Sequence, residues 1–332
     1  MYCLILRAMT YIEEYKEGNK FFGIYLCKTK QVLKTKAGKT YYSLVLQDKT
    51  GIIDGKVWDL NNGIENFENM DFIMIDGIVT SFMGARQVNI NRIRKAQDCE
   101  YNPADYIPTS KYSIDAMYDE LKQIINSIKE PHLKKLAEMC YIEDTEFVQK
   151  FKMHSAAKSI HHGFIGGLLQ HTLAVTKMCI FMADNYEILD KDLLITAAIF
   201  HDVGKIDELS PFPLNDYTDD GQLLGHIFIG AEFISSKIKE IPEFPKMLAS
   251  ELCHCILAHH GELEFGSPKK PAIAEAMALA FADNADARLE TMTEIYVKSD
   301  TATTWLGYNK IVDSNIRQSS GFVQKRKQNG GK

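Results

Sequence analysis

The sequence predicts a two-domain protein in which an all-β domain is followed by an all-α domain. The chain has 332 residues, enough for about two domains, and its 45% hydrophobic and 25% charged residues exclude an intrinsically disordered chain. Between residues 21 and 94, apolar and polar side chains alternate with the period of two that is typical of half-buried strands. After residue 113, apolar side chains recur at helical spacing and strand signals are absent.

The N-terminal domain is predicted to contain five strands. Glycine, asparagine and aspartate separate the alternating stretches, and a short polar segment, 61–69, lies between the third and the fourth. This order is that of an OB-fold barrel, and a generic five-stranded barrel such as an SH3-like barrel is the alternative. The predicted strands lie within 22–26, 42–46, 53–57, 71–82 and 87–93.

The predicted boundaries are 10–95 for the OB-fold domain, 96–112 for a linker, 113–315 for the helical domain and 316–332 for a tail. The linker contains Pro103 and Pro108 among turn-forming residues. The tail is expected to be disordered, because residues 321–332 carry four basic side chains and no acid. Beyond an apolar stretch at 118–128, helices are predicted at 132–141, 144–152, 164–185, 191–203, 225–240, 245–260 and 271–298.

The charge divides unevenly between the two parts of the chain. The net charge is −6, but residues 1–100 hold 14 basic and 12 acidic residues, whereas the remainder holds 24 and 32. A run of five lysines without an acid lies between residues 28 and 39, and it is either a solvated loop or a contact for phosphate groups. These lysines are Lys28, Lys30, Lys34, Lys36 and Lys39.

The cysteines and the apolar stretches indicate in which cellular compartment the protein is expected. The seven cysteines are odd in number and lack framework spacing, which favours a reducing compartment, and we expect the cytoplasm. No apolar stretch reaches the roughly 18 residues that a membrane span needs, so we expect no membrane association. Met1–Ala8 lacks the basic start and cleavage site of an export signal, and we expect translation to start at Met9, with an added edge strand as the alternative.

A series of histidines and aspartates carries the chemistry of the second domain. A lone buried histidine is usually a satisfied core residue, but seven ligand-type residues on the helices of one domain favour a metal site. Histidine and aspartate are ligands of borderline and hard divalent cations. The series consists of His171, His201, Asp202, His226, His259, His260 and Asp283.

The order and pairing of this series resemble those of the HD-domain metal-dependent phosphohydrolases. More narrowly, the chain resembles the YhaM-type 3′→5′ exoribonucleases, which combine an N-terminal OB-fold with a C-terminal HD domain. The HD-GYP cyclic-dinucleotide phosphodiesterases also have the paired histidine, but here no Gly-Tyr-Pro follows His259-His260. The segments that carry the resemblance are HGFIGGLLQHT (162–172), FHDVGKIDEL (200–209), LGHIFIG (224–230), HHGELEFGSP (259–268) and AFADNADA (280–287).

The resemblance implies a binuclear metal centre. One metal would be bound by His171, His201, Asp202 and Asp283, and Asp202 would bridge to a second metal bound by His226, His259 and His260. The two ions would generate a hydroxide that attacks phosphorus and releases nucleoside 5′-monophosphates. Manganese is expected, with iron, cobalt or zinc as alternatives.

Further residues of the helical domain have expected supporting roles. Lys205 would bind a phosphate oxygen, and an ion pair or a solvated helix end is the alternative. Asp286 lies on the same helix face as Asp283 and is expected to support the metal ligands, with a surface role as the alternative. His161 and His162 are further candidates for such support.

The OB-fold would bind the single-stranded nucleic acid, by its lysine run and by aromatic rings that stack on bases. The candidate rings are Tyr25, Tyr41, Trp58 and Phe82, each of which could instead pack against the second domain. RNA is the expected partner, with DNA as an alternative, and a homo-oligomer is compatible with the sequence. Two other functions stay open: an HD phosphohydrolase of nucleotides or nucleotide signals with a regulatory barrel, and a nucleic-acid-binding adaptor.

Overall fold

The computed structural model describes residues 10–328 except 62, 83–84, 103–104, 159–162 and 300–303. Two compact units are present: residues 10–109 with 211–216, and residues 110–210 with 217–328. The expected start at Met9 and the candidate residues His161 and His162 lie outside the described residues. None of the helices in the described part of the chain has the length and apolar character that crossing a bilayer requires.

The first unit is a closed five-stranded barrel. Its strands are β1 (Lys20–Lys34), β2 (Thr40–Asp48), β3 (Gly51–Val57), β4 (Phe72–Phe82) and β5 (Ala85–Lys95). The order around the barrel is β1-β2-β3-β5-β4, and every neighbouring pair is antiparallel except β3 and β5. The long β1 pairs with β4 through its first half and with β2 through its second half. The predicted OB-fold topology is confirmed.

The middle of strand β1, residues 24–27, is buried on both of its faces, which corrects one sequence expectation. Tyr25 is fully buried in the barrel, stacks on Phe21 with ring centroids 4.4 Å apart, and donates its hydroxyl to the Thr10 carbonyl at 2.9 Å. Tyr25 therefore cannot stack on a base. Strict alternation fails here because Ile24 and Leu26, on the opposite face, are buried in a separate apolar cluster.

That second cluster is built partly by the segment predicted to be a linker. Ala96 and Tyr106 are buried against Ile24 and Leu26, and the Tyr101 ring stacks on Phe72 at 4.0 Å. The first part of the predicted linker is thus packed on the barrel.

The second unit is mainly helical. The helix α5 is buried along most of its length, and the Asp190 carboxylate caps it by accepting the Leu193 amide. A two-stranded hairpin follows α9 and precedes α10. The helices are α1 (Ile114–Ser127), α2 (Pro131–Glu138), α3 (Thr145–Met153), α4 (Gly167–Asn185), α5 (Lys191–Phe200), α6 (Lys205–Glu208), α7 (Asp219–Lys239), α8 (Lys246–Ala258), α9 (Ala274–Lys298) and α10 (Ser320–Gln328), and the hairpin strands are β6 (Trp305–Asn309) and β7 (Ser314–Arg317).

The C-terminal end of the chain differs from the sequence expectation in two respects. The hairpin β6–β7 shows that strands do occur after residue 113, and α10 shows that the predicted tail is helical as far as Gln328. Two contacts with α9 explain why α10 is a packed helix and not a disordered tail. The Phe322 ring packs on Tyr296 with centroids 5.0 Å apart, and the Arg326 guanidinium donates to the Tyr296 carbonyl at 2.7 Å.

The barrel closure generates a first prediction, at Gly77 in β4. A Cβ atom at this position would lie 2.5 Å from the Asn89 carbonyl oxygen, so Gly77→Ala must displace the β5 backbone. We expect Gly77→Ala to lower the free energy of unfolding of the barrel by about 1–3 kcal/mol.

The test is urea denaturation in a Trp305→Phe background. The chain has two tryptophans, so Trp58 fluorescence then reports on the barrel alone. Ser81→Ala, at an exposed position of the same strand, is the control. Equal denaturation midpoints for the two variants would contradict this account of the closure.

Candidate metal centre

Five elements of the helical unit bring the predicted ligand series together. His171 lies on α4, His201-Asp202 follow α5, His226 lies on α7, His259-His260 follow α8 and Asp283 lies on α9. Their ligand atoms form two groups, one of His171, His201 and Asp283 and the other of His226, His259 and His260. Within each group all ligand atoms lie within 4.8 Å of one another.

The Asp202 carboxylate lies between the two groups and faces each with a different oxygen. Its Oδ2 is 3.2 Å from His171 Nε2 and 3.4 Å from His201 Nε2. Its Oδ1 is 3.6 Å from His226 Nε2 and 3.7 Å from His259 Nε2. One carboxylate can therefore serve as a ligand shared by both groups.

Each of the five histidines is oriented through its Nδ1 atom. For His201, His259 and His260 the partner is a backbone carbonyl, which can only accept, so Nδ1 carries the hydrogen and Nε2 keeps its lone pair. For the other two the partner is a carboxylate. The pairs are His201 with Ala198 O at 2.8 Å, His259 with Ile256 O at 2.7 Å, His260 with Phe265 O at 2.8 Å, His171 with Asp286 at 2.7 Å and His226 with Glu208 at 3.0 Å.

Two glycines permit the close approach of α7 to the segment that follows Asp202. A Cβ atom at Gly204 would lie 2.1 Å from the His226 carbonyl oxygen. Gly225, directly before His226, has a φ of 74°, which breaks the helical backbone of α7. The Gly204 of the segment FHDVGKIDEL is thus needed because the α7 backbone lies against it.

Glu208 is a functional residue that the sequence reasoning missed. It is buried, and its Oε1 accepts both the His226 amide and His226 Nδ1 at 3.0 Å. The helix α6 has four residues, too few for a periodicity to show which of its side chains face inward. The one available signal was a carboxylate six residues after Asp202. The contact expected of Asp286 is present, with His171.

The electrostatics of the centre keep Asp202 and His259 in the form that binds a cation. Burial would raise the pKa of Asp202, but the Lys205 ammonium and the neighbouring His201 ring outweigh this effect and hold that pKa well below its usual range. Lys205 Nζ lies 2.7 Å from Asp202 Oδ2, and this carboxylate raises the lysine pKa against the effect of burial. Burial and the neighbouring His260 hold the pKa of His259 well below its usual range, so this imidazole is neutral near pH 7.

His171 shows the excess of negative charge in the centre. Burial opposes its protonation, yet hydrogen bonds with Asp202, Asp283 and Asp286 hold its pKa well above the usual value. A proton on His171 thus supplies positive charge among three carboxylates, a role that a bound cation can take over.

The residues present fit divalent cations. Asp202 Oδ1, His226 Nε2 and His259 Nε2 are buried and have no hydrogen-bond partner among the described residues. The Nε2 atoms of His171 and His201 are 3.1 Å apart, close to the about 3.0 Å between neighbouring ligands of an octahedral ion with bonds of about 2.1 Å. Imidazole nitrogen and carboxylate oxygen are the donor set of zinc, manganese and iron sites.

Comparison with known proteins agrees with the site and with the fold. The family model described as "HD domain" matches residues 168–288, which contain all seven predicted ligands. The 3′-5′ exoribonuclease YhaM of Bacillus subtilis (strain 168) is 33% identical over 258 residues, covering 77% of this chain and 81% of that protein. The same enzyme from Listeria innocua serovar 6a is 34% identical over 260 residues, covering 78% and 82%.

The chain belongs to the YhaM family of 3′-5′ exoribonucleases. Membership of the YhaM family makes it a hydrolase and a nuclease, and it confirms the resemblance seen in the sequence. Among solved structures, the second OB-fold domain of replication protein A from Methanococcus maripaludis is 19% identical and covers 27% of this chain and 95% of that chain, with a TM-score of 0.22. The OB-fold assignment rests on the strand order of the barrel itself.

The barrel of this YhaM-family chain presents only some of the predicted nucleic-acid contacts. Lys34 and Lys36 are exposed in and after the end of β1, whereas exposed Lys39 pairs with Asp59 at 3.2 Å. Lys28 is half-buried. Lys30 faces the protein, since its Nζ donates to the Phe67 carbonyl at 2.6 Å.

The aromatic rings predicted to stack on bases also differ in how accessible they are. Tyr41 and Trp58 stack on each other with centroids 4.7 Å apart, and Trp58 is 43% exposed. Phe82 is 63% exposed, at the C-terminal end of β4. These three rings are accessible to a ligand, in contrast to Tyr25.

The orientation of His226 generates a second prediction. Glu208→Ala removes the carboxylate that fixes this ring, and we expect Mn²⁺ binding at its group to weaken by about 10–100-fold. The measurement is calorimetric titration of Mn²⁺ into protein stripped with EDTA. Asp207→Ala, which removes the neighbouring exposed carboxylate, is the matched control. Equal Mn²⁺ affinities for the two variants would contradict a role for Glu208 at the metal centre.

Proposed function

We propose that this YhaM-family nuclease is a two-metal enzyme that removes nucleoside 5′-monophosphates from the 3′ end of single-stranded RNA. The observation that carries the proposal is the Asp202 carboxylate, whose two oxygens face two separate groups of ligand atoms. Single-stranded DNA is the alternative substrate, because the ligand groups and the exposed rings contain nothing specific for ribose. The thiols of Cys27, Cys140, Cys179, Cys253 and Cys255 are outside any disulfide, which is in keeping with the cytoplasm.

The proposed ligands follow from the two groups. His171, His201 and Asp283 would hold one ion, His226, His259 and His260 would hold the other, and Asp202 would contact both. When bound, two divalent cations supply a nucleophilic water near neutral pH and neutralise charge on the phosphoryl oxygens. Manganese is the proposed ion, with iron, cobalt or zinc as alternatives, since this donor set suits each of them.

The protein's own side chains position and balance this chemistry. Asp286 and Glu208 fix the rings of His171 and His226, so that both Nε2 atoms point into the centre. The Lys205 side chain is 16% exposed and its Nζ lies 2.7 Å from Asp202 Oδ2, so the ammonium can neutralise that carboxylate and also reach a phosphate oxygen of the substrate. Its charge is retained at neutral pH because Asp202 raises its pKa.

The barrel is proposed to bind the single strand upstream of the cleaved end. Base stacking on aromatic rings together with lysine contacts to phosphates is the usual mode for single strands. Trp58 and Phe82 are exposed and Tyr41 is half-buried, and Lys34 and Lys36 are exposed lysines of the run that form no ion pair with another described residue.

The metal centre generates a third prediction. Asp202→Ala should reduce RNA hydrolysis to less than about a tenth of the wild-type rate, because it removes the ligand that faces both groups. RNA binding should remain, since the barrel is untouched. The assay follows the stepwise shortening of a 5′-labelled oligoribonucleotide with Mn²⁺, and anisotropy measures binding.

Free nucleotides and a 3′-blocked oligomer are tested in parallel. Hydrolysis of free nucleotides without loss of 3′-terminal mononucleotides would favour a nucleotidase instead. Asp207→Ala is again the control, and retention of wild-type activity by Asp202→Ala would contradict the shared ligand.

The exposed lysines generate a fourth prediction. Each lysine that neutralises a phosphate of a single strand adds about 0.7 to the slope of log affinity against log salt, so Lys34→Gln with Lys36→Gln should reduce the slope by about 1.4. A control variant, Lys239→Gln with Lys246→Gln, removes the same charge from exposed positions of the helical unit. Identical slopes for the two double variants would show that the β1–β2 lysines form a solvated loop.

A further inference from the structure

A cavity of about 450 Å³ lies directly beside the proposed metal centre, because His260 and Asp283 form part of its wall. The volume falls in the range of roughly 300–1,000 Å³ that is typical of ligand pockets. The cavity follows α9 from Asp283 to Met292, a distance of about 13 Å along the helix. It ends at the turn between β6 and β7, where Ile311 and Val312 line it.

The wall of the cavity combines a mostly apolar surface with a few polar groups. Phe265, Met292 and Ile311 offer surfaces on which a base can pack. The Phe265 backbone carbonyl also fixes His260, so the same loop shapes the cavity and orients a proposed metal ligand. The continuity of this wall with the metal centre indicates a part of the substrate that is attached to the reacting phosphate.

Arg288 is the cation in this wall. It is exposed, its Nε donates to Asn284 Oδ1 at 2.7 Å, and it forms no ion pair with any residue in the described ranges. Asn284 accepts from Nε, and neither Nη group of Arg288 donates a hydrogen bond to another of the described residues. A guanidinium held in this way suits bidentate binding of a phosphate.

The geometry points to this cavity as the binding site of the nucleotide on the 5′ side of the scissile phosphate, with Arg288 binding that nucleotide's own 5′ phosphate. This inference rests on the proposed function. Asp283 and Arg288 are five residues apart on α9, about 7.5 Å along the axis, which is comparable to the separation of neighbouring phosphates on an extended strand. The 5′ phosphate of the 3′-terminal nucleotide is the scissile phosphate itself, so this nucleotide has no second phosphate that Arg288 could bind.

The test removes one charge from the RNA and one from the protein. One decaribonucleotide carries a neutral methylphosphonate in place of the phosphate at the second linkage from the 3′ end, the phosphate that Arg288 should bind. A second decaribonucleotide carries the methylphosphonate at the fourth linkage, as a control. Single-turnover release of the first nucleotide is measured with Mn²⁺ for the wild type, for Arg288→Ala and for Lys239→Ala, which removes a charge at a distant exposed position.

We expect the second-linkage substitution to slow the wild type and Lys239→Ala by about tenfold, the usual effect of losing a charge-assisted hydrogen bond. Arg288→Ala should be about tenfold slower on unmodified RNA and should show no further loss with the second-linkage substitution. Equal sensitivity of wild type and Arg288→Ala to this linkage, or no sensitivity in the wild type, would overturn the assignment.

A binding measurement separates this inference from the proposed function. In EDTA, anisotropy of labelled tetranucleotides should show about tenfold weaker binding to the wild type when the second linkage is neutral, and no such difference for Arg288→Ala. If the metal-loaded enzyme released no mononucleotides, the proposed function would be wrong. If the wild type bound both tetranucleotides equally well, only the role of Arg288 would be overturned.

Discussion

The structure of the helical unit depends on a buried negative charge, the carboxylate of Asp202. Removing an ion from water costs several kcal/mol even after relaxation, and this cost must be offset by neighbouring charges and ligands. Lys205 supplies positive charge, and the imidazoles of both ligand groups surround the two oxygens. The requirement explains why α4, α5, α7, α8 and α9 all direct a ligand-type residue to one place.

The surrounding backbone is built to keep these ligands in a fixed orientation. Carbonyls one helical turn before His201 and His259 accept their Nδ1 hydrogens, so each ring is oriented by the end of its own helix. His226 lacks such a local partner and depends on Glu208 from a different helix. Close packing at Gly204 brings these two segments together, and any side chain there would separate them.

In the barrel, residues 24–27 of the long first strand are buried on both faces of the strand. The interior takes Phe21 and Tyr25, while Ile24 and Leu26 pack beneath the segment that contains Tyr101 and Tyr106. These aromatic side chains therefore stabilise the barrel by packing in its apolar clusters and are not available to bind bases. The aromatic side chains that stay accessible, Tyr41 and Trp58 among them, lie where β2 begins and β3 ends.

The sequence by itself determined the order of the strands, the all-α character of the region with the ligands and the identity of all seven ligand-type residues, because period and pairing are local properties of a chain. Only the tertiary structure decided which oxygen of Asp202 faces which group, that Glu208 supports His226, that Tyr25 is buried and that Arg288 lines a cavity beside Asp283. These facts depend on contacts between residues far apart in the sequence or on a second layer covering a strand. Alternation and spacing cannot report such contacts, since they describe one element at a time.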